Sequence, residues 1–588
     1  MPEVITDNID LWSSALLTKS TAGRGSNGRV EAYGIKKLRE LILELAVRGK
    51  LVPQDSDDED VQLLLTKNDT QRREIALIDR RADANLQPIL SANDCWEIPE
   101  SWGWRGLADL VLFVDYRGRT PDKLSTGIRL LTAKNVRKGQ VDLLPEEFLS
   151  EQDYTDWMTR GLPKAGDVLF TTEAPMGNAA VVELTERFAL AQRVICFQGY
   201  GALAPAFLVM QILSCKFQFI LDKNGTGMTA KGIKASKLKQ LPIAIPPLAE
   251  QHRIVTKVDE LMALCDQLEQ QQTSNIEAHQ TLVETLLGTL TNVESQEEFT
   301  EAWTRIANHF DTLFTTEQSI DQLKQTILQL AVMGKLVPQD PNDELASVLL
   351  QRVESDRVVL FKAGKIKKLP NIPTINTDEL SFELPKGWDW GLIPQVVSND
   401  KYAIKRGPFG SAIKKDYFVP TGYKVYEQQH AIKDDFSLGD YYIDQNKFNE
   451  LKAFEVKPND MIISCSGTVG KVAVAPEWME PGVINQALLK ISLNEEALTN
   501  DYFKILFPAF YMKTNTLSEL QGTAQKNMVS VETLKEEPFP LPPLAEQHRI
   551  VAKVDEIMAL CDTLKTRLTD AQTTQIHLAD TIVEQAVA

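Results

Sequence analysis

The chain has 588 residues, of which 43% are hydrophobic and 24% charged, and this length and composition are typical of a globular protein of about three or four domains. No apolar run reaches the roughly 18 residues of a membrane span, and the polar N-terminal residues do not resemble a signal peptide, so we expect a cytoplasmic protein. The six cysteines form no Cys-x-x-Cys pair. We therefore expect free thiols and no metal site. The formal net charge of −18 disfavours nucleic acid as a partner of the chain as a whole, although phosphate binding depends on local basic surface.

The first predicted element is an amphipathic helix from Ile35 to Arg48, with its apolar residues on one face. Gly49 suits the left-handed residue that ends a helix, and Pro53 lies just beyond it. The same features recur in a second helix, predicted from Ile320 to Met333.

Residues 98–245 are predicted to form a compact domain of strands and helices. A turn followed by a short apolar strand lies at Lys164–Thr172, and a helical segment at Pro205–Lys216. Basic residues cluster near the start of this domain, where Arg and Lys can reach phosphates and guanine edges and Asn can pair with adenine. The candidate DNA contacts are Arg117, Arg119, Thr120, Lys134 and Asn135. An ordinary solvated surface is the alternative interpretation.

A long helix is predicted after Pro247, because apolar residues then recur at alternating steps of four and three. This spacing is the a/d seam of a coiled coil, and the helix can run about 40 residues, or about 60 Å. Its seam residues, which we expect to form the coiled coil, are Ile254, Val258, Leu261, Cys265 and Leu268. Packing in an ordinary core is the alternative.

The second half of the chain contains a comparable domain at residues 384–541, with strand and helix signals at Lys457–Cys465 and Leu498–Met512. The segment Gly467–Lys471 resembles half of a phosphate-binding loop but lacks its spacing, so we predict a hairpin turn. The candidate DNA contacts here are Lys405, Arg406, Ser411, Lys414 and Lys415. A second long helix follows, and its seam residues are Ile550, Val554, Ile557, Cys561 and Leu564.

Matching segments show that the chain is a tandem duplication. The pairs are 35–55 with 320–340, 98–104 with 384–390, and 246–266 with 542–562. Between these segments the two copies diverge almost completely. Two near-identical frames therefore surround two different inserts, which predicts that the frames share one role and that the inserts recognise different targets.

We predict a mixed α/β (α+β) chain in which two globular domains are joined by a long antiparallel coiled coil, with a pseudo-twofold repeat. The predicted boundaries are 1–97 for the N-terminal region with its frame helix, 98–245 for the first recognition domain, 246–345 for the central helices, 346–383 for a linker, 384–541 for the second recognition domain, and 542–588 for the C-terminal helix.

Catalytic signatures are missing from the sequence. We find no Walker A loop and no Gly-rich cofactor fingerprint. We also find no Asp-Pro-Pro-Tyr type loop for methyl transfer to an amino group and no Ser-His-Asp order. His252 and His548 have no other His or Cys at ligand spacing, so we expect them at a helix surface or interface. These features predict a binding protein that is not itself an enzyme.

The whole pattern resembles the specificity (S) subunits of type I restriction-modification enzymes. The most telling residues are the Pro-Pro-Leu-Ala-Glu-Gln blocks at 246–251 and 542–547, each of which opens a predicted coiled-coil helix. Supporting marks are Asp115–Pro121, Gly407–Ser411 and the short blocks at Gly166 and Asn459.

The resemblance implies that each insert is a target recognition domain reading one half of a split, asymmetric site in double-stranded DNA. It also implies that the helices set the half-site spacing and dock two methyltransferase (M) subunits, with two restriction (R) subunits in the full complex. S-adenosylmethionine, ATP and Mg²⁺ are then expected in those partners, with no cofactor in this chain and no membrane contact.

Two other functions remain open at this point. A coiled-coil adaptor that presents two domains to protein partners fits the seams and the acidity, but it does not account for different basic inserts in matching frames. A self-sufficient nuclease or methyltransferase would need catalytic motifs that we do not find.

Overall fold

The computed structural model describes residues 3–19, 29–90, 95–116, 122–227, 231–293, 296–375, 380, 382–511, 528 and 530–587. The chain forms two compact units, the first of residues 1–276 with 570–588 and the second of residues 277–569. Each unit thus contains one frame and the insert that belongs to it. Both contain helices and strands, which confirms the predicted mixed α/β class.

The first unit begins with the N-terminal frame and continues through the first insert. Its helices are α1 (Glu3–Thr6), α2 (Ile9–Ser14), α3 (Tyr33–Val47), α4 (Val61–Ile78), α5 (Leu107–Leu110), α6 (Glu151–Trp157), α7 (Pro205–Leu213), α8 (Cys215–Asn224), α9 (Ala235–Leu238) and the first part of α10 (Leu248–Asn292). Its strands are β1 (Leu17–Lys19), β2 (Arg29–Glu31), β3 (Gly103–Gly106), β4 (Val111–Asp115), β5 (Ile128–Leu131), β6 (Phe148–Leu149), β7 (Val168–Thr172), β8 (Met176–Val181), β9 (Phe188–Leu190), β10 (Val194–Gly199) and β11 (Pro242–Ile245).

The second unit repeats this order. Its helices are α11 (Gln296–Asn308), α12 (Phe310–Leu313), α13 (Glu317–Val332), α14 (Ala346–Lys362), α15 (Ile393–Val396), α16 (Gln428–Lys433), α17 (Gln445–Glu450), α18 (Asn500–Ala509), α19 (Val531–Glu536) and the first part of α20 (Leu544–Val587). Its strands are β12 (Asp389–Gly391), β13 (Ile404–Arg406), β14 (Phe418–Val419), β15 (Tyr423–Tyr426), β16 (Tyr442–Ile443), β17 (Glu455–Val456), β18 (Met461–Ser464), β19 (Val472–Val474), β20 (Gly482–Ile484), β21 (Leu488–Ile491) and β22 (Phe539–Leu541).

The two inserts share a sheet topology despite their divergent sequences. An antiparallel sheet in the order β4-β10-β7-β8 corresponds to β13-β21-β18-β19 in the second insert. A second sheet in each is built on a parallel pair, β5 with β9 and β15 with β20, flanked by the antiparallel strands β6 and β16. The second insert extends this sheet to five strands by adding β14 and β17. The inserts therefore differ at sheet edges and loops more than in their central strands.

The two ends of each insert meet in a short antiparallel ladder. Strand β3 pairs with β11, which places Trp104 opposite Ala244, and β12 pairs with β22, which places Trp390 opposite Pro540. The insert therefore leaves and rejoins its frame at one place. Because this ladder closes the insert, the strands and loops inside it can change without moving the frame.

The predicted helices are present. The long helices α10 and α20 have 45 and 44 residues, close to the predicted length, and α3 and α13 overlap the two shorter predictions. Gly49 and Gly334 follow the shorter helices with φ of 68° and 69°, the left-handed conformation that glycine adopts at little cost. Gly467 lies, as predicted, in the turn that joins β18 to β19.

The seam residues of the long helices are buried inside the two units. Ile254, Val258, Leu261 and Cys265 share a core with Ala579 near the end of α20. In the second unit, Ile550, Val554 and Cys561 share a core with Val283, Leu287 and Leu290 near the end of α10. Each unit therefore holds the beginning of one long helix and the end of the other, as expected of an antiparallel pair. Leu268, Ile557 and Leu564 are partly buried against the same cores.

The seam side chains pack within the chain and so stabilise each unit. Their part in docking other subunits stays a prediction. Ion pairs at the edge of the packing hold α3 to both long helices in the first unit and α13 to α20 in the second, where the Gln322 amide also donates to Glu284 of α10 (2.9 Å). The ion pairs are Arg39–Asp266, Arg39–Glu269 and Lys37–Asp580 in the first unit and Lys324–Asp562, Lys565–Asp321 and Lys565–Glu317 in the second.

A buried glutamine at the start of each long helix ties that helix to its insert. The Gln251 amide accepts a hydrogen bond from the Ala204 N–H (2.7 Å) and donates to the carbonyls of Ala202 (2.9 Å) and Pro246 (3.0 Å). Gln547 makes the same three contacts, with the Thr499 N–H and the carbonyls of Ala497 and Pro542. Both glutamines are fully buried. The repeated glutamine therefore makes the same structural contacts in both frames.

The neighbouring charged residues make matching contacts. Arg253 pairs with Asp58 (2.6 Å) and Arg549 pairs with Asp343 (2.6 Å), so each long helix is linked to the segment after its shorter frame helix. The hydrogen bond from Arg253 lowers the pKa of Asp58. The Glu250 carboxylate accepts hydrogen bonds from Gln54 and from the Trp102 indole, while burial raises the pKa of both Glu250 and Glu546.

We expect Gln251→Ala to lower the free energy of unfolding, because the buried Ala204 N–H and the Ala202 and Pro246 carbonyls each lose a hydrogen-bond partner. A buried polar group left unsatisfied costs about 1–3 kcal/mol. Urea unfolding measures the loss, and amide hydrogen exchange at Ala204 should accelerate. His252→Ala is the matched control, because His252 is the next residue of the helix and is exposed. Equal stability of the two variants would contradict this role for Gln251.

Candidate nucleic-acid interface

Three of the predicted DNA contacts of the first insert, Arg117, Arg119 and Thr120, lie outside the described residues. The other two, Lys134 and Asn135, lie together in the turn after β5, and they differ sharply in exposure. Lys134 is exposed, whereas Asn135 is buried.

The Asn135 side chain is used by the fold. Its Oδ1 accepts hydrogen bonds from the Thr132 N–H and hydroxyl, both at 2.9 Å, and its Nδ2 donates to the carbonyls of Asp142 (2.9 Å) and Pro145 (3.1 Å). These four contacts satisfy the amide and hold the turn in shape. Asn135 therefore positions its neighbour Lys134 and has no polar group left to present to a base.

Nearby acidic residues neutralise several of the basic residues in the first insert. Arg129 pairs with Glu146 and Glu186, Lys123 with Glu147, and Arg137 with Asp142. Within the described residues, Lys134 and the neighbouring Lys138 have no ion pair, and both are exposed. The free positive charge of this part of the insert is therefore concentrated in the turn between β5 and β6.

In the second insert, Lys405 and Arg406 lie on β13, and their side chains are partly buried. The Lys405 ammonium is 5.3 Å from the centre of the Phe454 ring and 6.0 Å from that of Tyr402. An Arg406 Nη atom is 3.5 Å from the Cys465 carbonyl oxygen. These contacts hold both cations near the surface without an acidic partner among the described residues.

The loop that follows β13 carries the other candidates. Ser411, Lys414 and Lys415 are all exposed, and in the described part of the chain neither lysine forms an ion pair. Together with Lys405 and Arg406 they make a basic surface, the β13 loop surface. A net negative chain therefore carries a locally positive surface on its second insert, which is the property that phosphate binding requires.

Close backbone packing anchors this loop. The Gly407 N–H donates to the Leu488 carbonyl (2.8 Å), and the Ala412 N–H donates to the Phe409 carbonyl (2.8 Å). A Cβ at position 407 would lie 1.8 Å from the Asn485 carbonyl oxygen, so only glycine fits there. The loop is therefore held against the strand region before β21.

Sequence reasoning missed one residue of this surface. Phe409, between Gly407-Pro408 and Gly410, is 90% exposed. The only available signal was the Gly-Pro-Phe-Gly pattern itself, because one apolar residue in a turn has no periodicity from which exposure can be predicted.

The described residues contain no group of three or more His, Cys, Asp or Glu side chains that could hold a metal ion. All six cysteines are free thiols. Among the described helices, none alone is both long and apolar enough to cross a membrane, although the bent pair of α7 and α8 meets that test jointly.

The duplicated frame and divergent inserts match a known domain family. The type I restriction modification DNA specificity domain matches twice, at residues 151–278 and 409–571. Each match includes part of an insert and the start of the following long helix. The chain is also 35% identical to the EcoEI specificity subunit of a type I restriction enzyme from Escherichia coli, over 100% of this chain and 99% of that subunit.

The chain belongs to the specificity subunits of type I restriction enzymes. It is similarly 34% identical to the EcoAI specificity subunit of Escherichia coli, again over 100% of this chain and 99% of that one. A crystal structure of the HsdS subunit from Thermoanaerobacter tengcongensis aligns with 84% of this chain and 98% of its own, at 18% identity and a TM-score of 0.42. The family resemblance read from the sequence is confirmed. Specificity subunits are the non-catalytic components of these enzymes and determine which DNA sequence is recognised.

We expect Gly407→Ala to displace the β13 loop, because the added methyl group would overlap the Asn485 carbonyl oxygen. Overpacking of this kind costs about 1–3 kcal/mol. Hydrogen exchange of the residue 407 amide, which is bonded to the Leu488 carbonyl, should accelerate. Gly410→Ala is the control, since the nearest atoms to a Cβ there belong to the Gln486 side chain at 3.9 Å. Unchanged exchange in Gly407→Ala would show that the loop is not anchored in this way.

Proposed function

We propose that this specificity subunit reads a bipartite, asymmetric site in double-stranded DNA, with the first insert on one half-site and the second insert on the other. The observation that carries the proposal is the contrast between identical frame contacts and different inserts. Gln251 and Gln547, and the ion pairs of Arg253 and Arg549, repeat closely, while the inserts differ in their sheet edges and charged loops.

The repetition of the frame also supports two kinds of protein partner, methyltransferase and restriction subunits. Two matching frames offer two equivalent surfaces, which suits the binding of two copies of a methyltransferase subunit, with restriction subunits joining in the full complex. S-adenosylmethionine, ATP and Mg²⁺ belong to those partners in this proposal, and adenine methylation and DNA cleavage are activities of the complex. Most of the seam is buried within the chain, so in this proposal the partners bind largely to other, exposed parts of the frames.

The proposed DNA contacts are basic and hydroxyl residues of the two inserts. In the first insert they are Lys134 and, outside the described residues, Arg117, Arg119 and Thr120. In the second they are Lys405, Arg406, Ser411, Lys414 and Lys415. Asn135 is left out because its amide is fully used by the fold. Lysines such as Lys414 and Lys415 suit phosphate contacts, which position a protein on DNA without reading bases.

A protein adaptor remains the second candidate, because the chain is acidic as a whole. The cations of the β13 loop surface have no ion pair among the described residues and lie close together in sequence, which favours DNA over that function.

We expect the double variant Lys414→Ala, Lys415→Ala to weaken DNA binding by the complex of this chain with its methyltransferase subunits, and to do so for all DNA sequences. Each lost phosphate contact should reduce the slope of log binding constant against log salt by about 1. Titrations at several salt concentrations measure both effects.

Lys553→Ala is the control for loss of a positive charge, because Lys553 lies on α20 and pairs with Glu556 at 2.9 Å. The control should leave the slope unchanged. An unaltered slope in the double variant would remove these lysines from the DNA interface, and a wild-type complex without salt-dependent DNA binding would support the adaptor function instead.

A further inference from the structure

Phe409 is the most exposed large hydrophobic side chain in the described part of the chain, at 90%. An isolated exposed apolar residue is common on protein surfaces, so exposure alone assigns it no role. The conformation of its loop and the charge around it are what distinguish it.

The loop holds Phe409 in a defined position. Gly407 approaches the Asn485 carbonyl too closely for any side chain, Pro408 is buried, and the carbonyl of Phe409 itself accepts a hydrogen bond from the Ala412 N–H. Proline also fixes its own φ and so reduces the freedom of the turn. The ring is therefore presented to solvent on an ordered backbone, which lowers the entropy cost of placing it against a partner.

The ring is surrounded in sequence by cations. Lys405 and Arg406 precede it, and the exposed Lys414 and Lys415 follow it. A second exposed aromatic residue in the same unit offers a comparison, because Trp478 is 66% exposed but lies between Glu477 and Glu480. Phe409 thus combines the most exposed aromatic ring of the described residues with a basic surface that can hold a phosphate backbone beside it.

We propose that Phe409 is a DNA-stacking residue of the second insert, whose ring inserts at a base step of the half-site or stacks on an unstacked base there. The inference rests on the proposed DNA-binding function. Apolar side chains that enter a base step unstack it partly and bend the duplex, so the sequence preference at that step comes from the ease of deforming it and not only from hydrogen bonds to bases.

The experiment uses the complex of the full chain with its methyltransferase subunits and duplexes that carry the motif methylated in cells. The adenine analogue 2-aminopurine is placed at successive positions of the half-site that depends on the second insert, because its fluorescence rises when it is unstacked. We expect the wild-type complex to raise the fluorescence at one step. Phe409→Ala should abolish that rise and weaken specific binding on the order of tenfold, with the salt slope unchanged since no charge is lost.

Two further variants make the result specific. Phe409→Trp should retain the fluorescence rise, because a larger ring can still stack, and Trp478→Ala should behave as the wild type. Undiminished affinity and fluorescence in Phe409→Ala would overturn the inference while leaving the proposed function intact. Loss of methyltransferase assembly in Phe409→Ala without DNA would also overturn it, by assigning the ring to a protein contact. No motif-specific binding by the wild-type complex would mean that the proposed function itself fails.

Discussion

The buried side chain of Gln251, repeated by Gln547, is the contact on which the organisation of each unit depends. One amide satisfies a backbone N–H and a carbonyl in the insert, and the carbonyl just before the long helix. It therefore fixes where the last part of the insert lies relative to the start of that helix. The glutamine amide and its three backbone partners are all removed from water, so loss of the amide leaves several buried polar groups without a hydrogen bond at once. Few other side chains can therefore replace the glutamine.

This constraint explains how a repeated frame can carry inserts of different sequence. The glutamine contact and the short ladders β3–β11 and β12–β22 close each insert at its base. Beyond that base, only the central strands must keep their order. Three parts of the inserts are free to change: the edge strands, the turn after β5 and the loop after β13. The exposed cations of the described residues that we assign to DNA lie on these variable parts. Recognition can thus diverge while the subunit keeps one architecture.

Much of the frame could be predicted from the sequence because its signals are local. Helix periodicity, the left-handed glycines after α3 and α13, and the duplication are all visible in short stretches of residues. The common topology of the inserts could not be predicted, because the pairing of β5 with β9 and of β15 with β20 joins distant segments that share no sequence. At the candidate site, side-chain type identified Lys414 and Lys415 as cations but could not show that Asn135 is buried or that Phe409 is exposed, since both depend on tertiary packing.

We propose that two equivalent frames hold two independent readers of one split DNA site. The most direct test is a genome-wide map of adenine methylation in cells that contain this chain and its methyltransferase partners, repeated with the second insert (residues 384–541) replaced by that of another specificity subunit. We expect one bipartite asymmetric motif in which the replacement changes one half and preserves the other. A motif that changes in both halves, or methylation that never depends on this chain, would contradict it.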